Sequence, residues 1–450
     1  MRDLKPHQVE GVAKLTVSPR MVLADDMGLG KTIQSIRAAI NLHNAVPGVR
    51  LVVFPASARN VWPRELVKEG IAEGDIFQAK TGKAIHSYRN QPWFLISLPL
   101  FRQHFEAVAR LVWPVGIFIL DEAHNIKDIK SKGNMSVTPM ALRCPVFWAL
   151  TGTPMKNDYS EMFSLARLVV PHSVMMRNGV ADFYKWRDTF CVLETELVWT
   201  MVFDKALRRK VRKQITVQKI AGSQNAQLLK SIIGPYIVRR LKKAVLKGLP
   251  DLTWQELYVE GIRADFDDDT LSEMREAAEK GRAPKGQHIA TARVAWAMQA
   301  VPSAVEIVEE HVESDPNPMI VFCNYLEPIA ALEAALRDKG LRVGVITGSV
   351  PEKDRVRIVD DFQNGRLDVF IGQTLAAGTA ITLTRANRVL FIDLAWSPAD
   401  NAQARDRAHR IGQDKEVLAQ YLVSDDPLSE RVISILAQKT QAIEQLETAS

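Results

Sequence analysis

A chain of 450 residues is too long for one hydrophobic core, so two or three domains are expected. With 47% hydrophobic and 24% charged residues the composition is that of a globular protein; three scattered cysteines, Cys144, Cys191 and Cys323, argue against a disulfide framework or a cysteine-rich zinc site. The formal charge of +6 is weak evidence by itself for a nucleic-acid partner, and no apolar run approaches the roughly 18 residues of a membrane span, so no membrane partner is expected.

The first informative segment is residues 21–32. A short apolar run, Met21 to Ala24, reads as a buried parallel strand. A glycine-bearing turn follows, and a helix opens at about Lys31. Gly28 and Gly30 let the backbone turn its N–H groups toward a phosphate, and the helix N-terminus adds a favourable dipole. Lys31 can reach the β- and γ-phosphates of a nucleotide, and Thr32 offers a hydroxyl to Mg²⁺. Asp25 stands where the strict phosphate-loop pattern has its first glycine.

Further strands are expected at 50–54 and 93–97, then at 117–120, a buried run ending in Asp121 and Glu122. Parallel sheets place their ligands at that strand end. Asp121 can hold Mg²⁺, directly or through water; Glu122 can orient and deprotonate an attacking water. The strand 146–150 leads to Thr151-Gly152-Thr153-Pro154, whose small hydroxyl residues can contact the acidic pair and sense the nucleotide. A second α/β pattern starts at 319–323. It continues through a helix at 326–338, a strand at 342–346, a helix at 352–363 and strands at 369–372 and 389–393. It has no phosphate loop of its own and suits a partner lobe that completes a site at a cleft. Near its end Arg407 and Arg410, three apart, can reach across to a γ-phosphate, so that hydrolysis depends on lobe closure.

At this point the chain closely resembles the SNF2 (SWI2/SNF2) group of superfamily 2 helicase-like ATPases. Leu4 to Gly11 looks like the adenine-recognition segment, with Gln8 as its glutamine and His7 in place of the usual tyrosine. Asp26 to Thr32 matches the group's Walker A form. Phe54 to Ser57 with Trp62 and Glu65 resembles the next motif, and Asp121-Glu122-Ala123-His124 is the Walker B motif. Leu150 to Pro154 resembles the coupling motif, in which Thr151, Gly152 and Thr153 link hydrolysis to DNA contact. Arg239 and Arg240, before Leu249-Pro250, resemble the bridge between lobes, and Gln403 to Gln413 the terminal arginine-finger motif. One departure is Ala380, where the family has glycine; that loop helps pair ATP with DNA movement.

The resemblance implies two RecA-like lobes of parallel sheets flanked by helices, with a largely helical insertion between them. The divisions expected are 1–170 for the ATP-binding lobe, 171–250 for the insertion and bridge, 251–318 for a second bridging segment and 319–450 for the second lobe. It also implies a DNA-dependent ATPase that moves along duplex DNA without processive strand separation, using ATP and Mg²⁺. Rival readings are a strand-separating helicase, a double-stranded-RNA-activated ATPase and a DNA-binding scaffold with a relic nucleotide site. Basic runs at 205–213 and 239–247 favour phosphate backbones without reading sequence, with Lys205, Arg208, Arg209, Arg239 and Arg240 as candidate DNA contacts. The aromatics Phe183, Tyr184, Trp186 and Phe190 are read as a small core, and the acidic run Asp265 to Asp269 as a solvated loop. A bare, monomeric motor is expected, acting in a prokaryotic cytoplasm as a bacterial or bacteriophage protein. DNA-repair, replication or recombination proteins are its expected partners.

Overall fold

The computed structural model describes residues 1–155, 157–204, 209–260, 262, 287–377, 381–425, 429, 432–434, 436, 437 and 440. Ala380, the acidic run 265–269, and Lys205 and Arg208 of the basic run lie outside these.

Seven strands form the first sheet: β1 (Arg20–Leu23), β2 (Val49–Phe54), β3 (Ile76–Ala79), β4 (Trp93–Ser97), β5 (Val115–Leu120), β6 (Val146–Leu150) and β9 (Ile237–Val238). All pair in parallel, in the order β3-β4-β2-β5-β6-β1-β9. The sheet is covered on both faces, which is why its strands read as unbroken apolar runs. Phe118 and Leu120 pack into one cluster with Phe147, while Ile117 and Ile119 pack on the other face with Leu23 and Trp148. Helices α1 (Pro6–Val17) and α2 (Lys31–Asn41) pack together against the second cluster through Val12, Leu15 and Ile36.

The second sheet, also parallel, holds β10 (Leu252–Tyr258), β11 (Met319–Cys323), β12 (Val343–Ile346), β13 (Val369–Gln373), β14 (Arg388–Phe391) and β15 (Val417–Val423). Their order is β10-β15-β14-β11-β13-β12. The expected second-lobe boundary at 319 is too late. β10 pairs with β15 over seven residues, and the helix Gln287–Ser314 buries Trp296, Ala300 and Val308 in the second core. β10 is an edge strand with four consecutive exposed residues, so it shows no apolar run from which sequence could assign it.

The inter-lobe insertion also departs from a largely helical reading. It has short helices at His172–Arg177, Phe183–Phe190 and Ala226–Ile233, together with a long antiparallel ribbon of β7 (Cys191–Asp204) and β8 (Arg209–Ser223). Trp186 and Phe190 are fully buried and Phe183 packs edge-on to Phe163, so these three form a core, whereas Tyr184, expected with them, is exposed. Among the described residues no helix is long and apolar enough to cross a membrane.

Candidate active site

The phosphate loop bends as its glycines allow. Gly28 and Gly30 have φ of +86° and +79°, the left-handed region in which a side chain would be strained. A Cβ on Gly30 would also fall 2.4 Å from Gln8 Nε2. Lys31, at the start of α2, donates to the loop carbonyls of Asp25 (2.7 Å) and Asp26 (3.3 Å). Burial lowers the pKa of its ammonium, against the opposing pull of Glu122 and Asp121.

Those two carboxylates follow β5. Asp121 accepts the indole N–H of Trp62 (2.9 Å) and the backbone N–H of Glu122 (2.9 Å). Burial, then the neighbouring charge of Glu122, pushes its pKa up, so an added cation is the natural counter-charge. Glu122 has φ +48°, an uncommon conformation for a non-glycine residue. Burial alone would raise its pKa, but the hydrogen bond and charge of His124, with Lys31 and Arg407, hold it down as an anion. His124 Nδ1 lies 3.3 Å from Glu122 Oε2, 3.2 Å from Thr151 Oγ1 and 3.4 Å from Thr153 Oγ1. One imidazole therefore joins the acidic pair to the Thr151–Pro154 turn. Gly152 packs so closely on the phosphate loop that a Cβ would meet Met27 Cγ at 2.6 Å and Lys31 Nζ at 3.4 Å.

The second lobe supplies two arginines. Arg407 is buried and its pKa is lowered to about 10 by burial and by Arg410, with Glu122 pulling the other way. Arg410 donates to Ile381 O (3.1 Å) and Thr382 Oγ1 (3.0 Å). A Cβ placed on Gly28 would lie 3.4 Å from Arg410 Cβ and 4.0 Å from its Nε, which sets this arginine against the phosphate loop of the other lobe. Beside it, a cleft of about 610 Å³ is lined by Pro6, Leu246, Leu249 and Ile411 together with Lys5, His7, Glu10, Lys247 and Gln413, so it offers a base both apolar contact and polar groups. Gln8 is not among its walls. Its amide is spent on Lys5 N (3.0 Å) and Leu29 O (3.2 Å), tying α1 to the phosphate loop.

Arg239 and Arg240, expected as DNA contacts, direct hydrogen bonds inward to the phosphate loop and its neighbours. Arg240 grips fully buried Asp25 through two bonds (2.9 and 2.7 Å) and also donates to Gln34 Oε1 (2.8 Å) and His7 O. Arg239 donates to Ala24 O (3.1 Å) and Gly152 O (3.4 Å). Both turn inward because the loop and the neighbouring Thr151–Pro154 turn present a buried carboxylate and backbone carbonyls to the bridge. The residue in place of the first loop glycine, Asp25, thus has a structural reason that sequence alone does not supply. Arg209 lies on β8, far along the ribbon. Sequence reasoning also missed His124 as a junction and Lys242, named only as part of a basic run. Lys242 donates to Asp406 Oδ2 (2.5 Å) and His409 O (2.7 Å).

A glycine-bent loop at a helix start, an acidic pair at the end of a neighbouring buried strand and cross-lobe arginines define a two-lobed ATPase whose site is completed between its lobes. A family model described as SNF2-related domain matches residues 7–262, and one described as helicase conserved C-terminal domain matches 303–412. The chain belongs to the SNF2-related family and is a helicase-like ATPase of that family. It is 26% identical over 469 residues to a Caenorhabditis elegans homolog of SWI/SNF-related matrix-associated actin-dependent regulator of chromatin subfamily A-like protein 1, covering 99% of this chain and 62% of the relative. It is 26% identical over 452 residues to the DNA annealing helicase and endonuclease ZRANB3 of Mus musculus, covering 97% and 40% respectively. The chain therefore spans less than two thirds of these curated relatives. Among solved structures, the Sulfolobus solfataricus SWI2/SNF2 ATPase core in complex with dsDNA matches with a TM-score of 0.44 and 21% identity, over 99% of this chain and 95% of that one.

Proposed function

We propose that the chain is a DNA-dependent ATPase that couples Mg²⁺-ATP hydrolysis to movement along duplex DNA, without processive strand separation. The observation that carries the reading is the placement of Arg410 against Gly28 and of Arg407 within the field of Glu122. Each half of the site sits on a different lobe, so turnover and lobe position are linked. Thr32 and Asp121 offer the hard oxygens that Mg²⁺ takes, and the raised pKa of buried Asp121 fits a site that gains a cation. Bound there, the ion would neutralise charge on the phosphates. Glu122 orients and accepts a proton from the water, Lys31 holds the phosphates, and Arg407 and Arg410 stabilise the charge that develops on phosphoryl transfer.

A second inter-lobe cleft, of about 580 Å³, is a candidate nucleic-acid surface through its amides, rings and Lys127. His124, Asn125, Lys127 and Asp128 line it from one lobe, Asn324, Tyr325, Trp396 and Asp400 from the other, so a phosphate backbone would have to pass clear of the two carboxylates. Arg293 stacks on Trp396 and Tyr325 (4.6 and 5.5 Å to the ring centres) while paired with Asp393, which fixes the two rings. Because His124 also touches Glu122, occupancy of this cleft has a direct route to the water-activating carboxylate. The name of the annealing-helicase relative supports DNA as the substrate class.

Steady-state ATP hydrolysis with matched duplex DNA, single-stranded DNA and duplex RNA tests the proposal. Preferential stimulation by duplex DNA, together with displacement of a third strand from a triplex, is the expected result. Stimulation by single strands alone, or unwinding of a forked duplex, would overturn the duplex-tracking part.

A further inference from the structure

The two lobes meet at the phosphate loop through an intermediary. Residues 238–250 run beside that loop: Val238 O accepts from Ala24 N (2.6 Å), Arg240 O from Asp26 N (2.9 Å), and Lys242 N donates to Asp26 Oδ2 (2.9 Å). The same segment holds the arginine motif of the second lobe. Lys242 Nζ bonds Asp406 Oδ2 and His409 O, and Pro250 O lies 2.8 Å from His409 Nε2. Lys242 is 6% exposed and Asp406 7%; the other carboxylate oxygen of Asp406 is taken by Arg405 (2.9 Å). A Cβ on Gly28 would lie 3.6 Å from Lys242 Cε, so the lysine stem rests on the loop beside Arg410.

From this geometry we infer that Lys242 is a positioning residue: a latch that sets the distance between the phosphate loop and Arg407 and Arg410. Asp406 and His409 each immediately precede one of those arginines in sequence. Fixing the carboxylate of one and the carbonyl of the other fixes the backbone from which both arginines project. The Lys242 ammonium is turned to two acceptors of the second lobe, which assigns it to holding that lobe and leaves the phosphates to Lys31 and the arginines. The inference rests on the ATPase reading above.

Lys242→Met, Lys242→Arg, Asp406→Asn and the double variant Lys242→Met/Asp406→Asn in the full chain test it. Three quantities are measured: affinity for a fluorescent ATP analogue, kcat and KM for ATP with saturating duplex DNA, and the radius of gyration from small-angle X-ray scattering. Lys242→Met should lower kcat by about 10²-fold, the scale of a displaced catalytic group, with nucleotide affinity within about threefold of wild type and a larger radius of gyration. Lys242→Arg should recover part of kcat, and the double variant should be no worse than the poorer single. An unchanged kcat, effects that multiply in the double variant, or a loss of nucleotide affinity of about tenfold or more (the mark of a direct phosphate ligand) would overturn the latch. If the wild-type chain hydrolyses no ATP, the functional reading fails instead. Scattering then decides the latch alone: expansion in Lys242→Met supports it and an unchanged radius of gyration overturns it.

Discussion

Arg240→Ala separates the inward role seen in the structure from the DNA contact that its basic neighbourhood suggests. Asp25 is fully buried, and Arg240 makes two of its hydrogen bonds. The substitution leaves that carboxylate with the amide of Gln34 (3.1 Å) as its remaining side-chain donor. Removing one partner of a buried pair costs about 3–5 kcal/mol, because the other charge stays desolvated. The first lobe melts with roughly 2–4 °C lost per kcal/mol at this size, so its transition should fall by about 6–20 °C. Thermal unfolding followed by circular dichroism measures this, and the double variant Asp25→Asn/Arg240→Met should recover much of the loss because no orphaned charge remains. A shift of less than about 2 °C, coupled with weaker DNA binding and a shallower salt dependence, would refute the argument and restore Arg240 to the DNA surface.

Glu122→Gln keeps the size of the side chain but removes the proton acceptor, so nucleotide binding should persist while kcat falls by about 10²–10⁴; turnover at the wild-type rate would remove Glu122 from the base role. Arg410→Ala should keep ATP affinity and lose about 10³–10⁵ in kcat, measured in single-turnover assays, and an undiminished rate would mean that the second lobe does not complete the site. Replacing Arg209, Lys210, Arg212 and Lys213 of the ribbon by alanine should weaken DNA binding, with the slope of log affinity against log salt falling by about 0.9 for each phosphate that is no longer neutralised; an unchanged slope makes the ribbon a mere surface. Gly152→Ala, whose Cβ would press on Met27 and crowd Lys31, should reduce kcat without unfolding the first lobe, as read from kinetics beside a melting curve.

The parts of the site that lie within a few residues of one another were legible from sequence. The phosphate loop joins a strand to a helix, and Asp121 and Glu122 end a strand buried on both faces, so an apolar run and its punctuation locate them. The pairing of Arg407 with Arg410 was legible for the same reason. Gln8 was found by resemblance, yet its amide is bonded to the phosphate loop; its place next to Gly30 depends on how α1 packs on α2. The ribbon was missed because its basic half reads equally as a solvated helix surface, and strand pairing is not a local property.

The sequence by itself determined two parallel α/β lobes, with one nucleotide site on the first, because alternation of buried runs and glycine turns is written in short segments. Only the tertiary structure decided what the charges do. Arg240 meets Asp25 across 215 positions and Lys242 meets Asp406 across 164. A charged side chain in sequence is the same whether it faces water or a buried carboxylate. Its role is set by the desolvation and the partner that folding supplies, and here folding turns the bridge arginines and Lys242 from an outward basic patch into the inner frame of the phosphate loop.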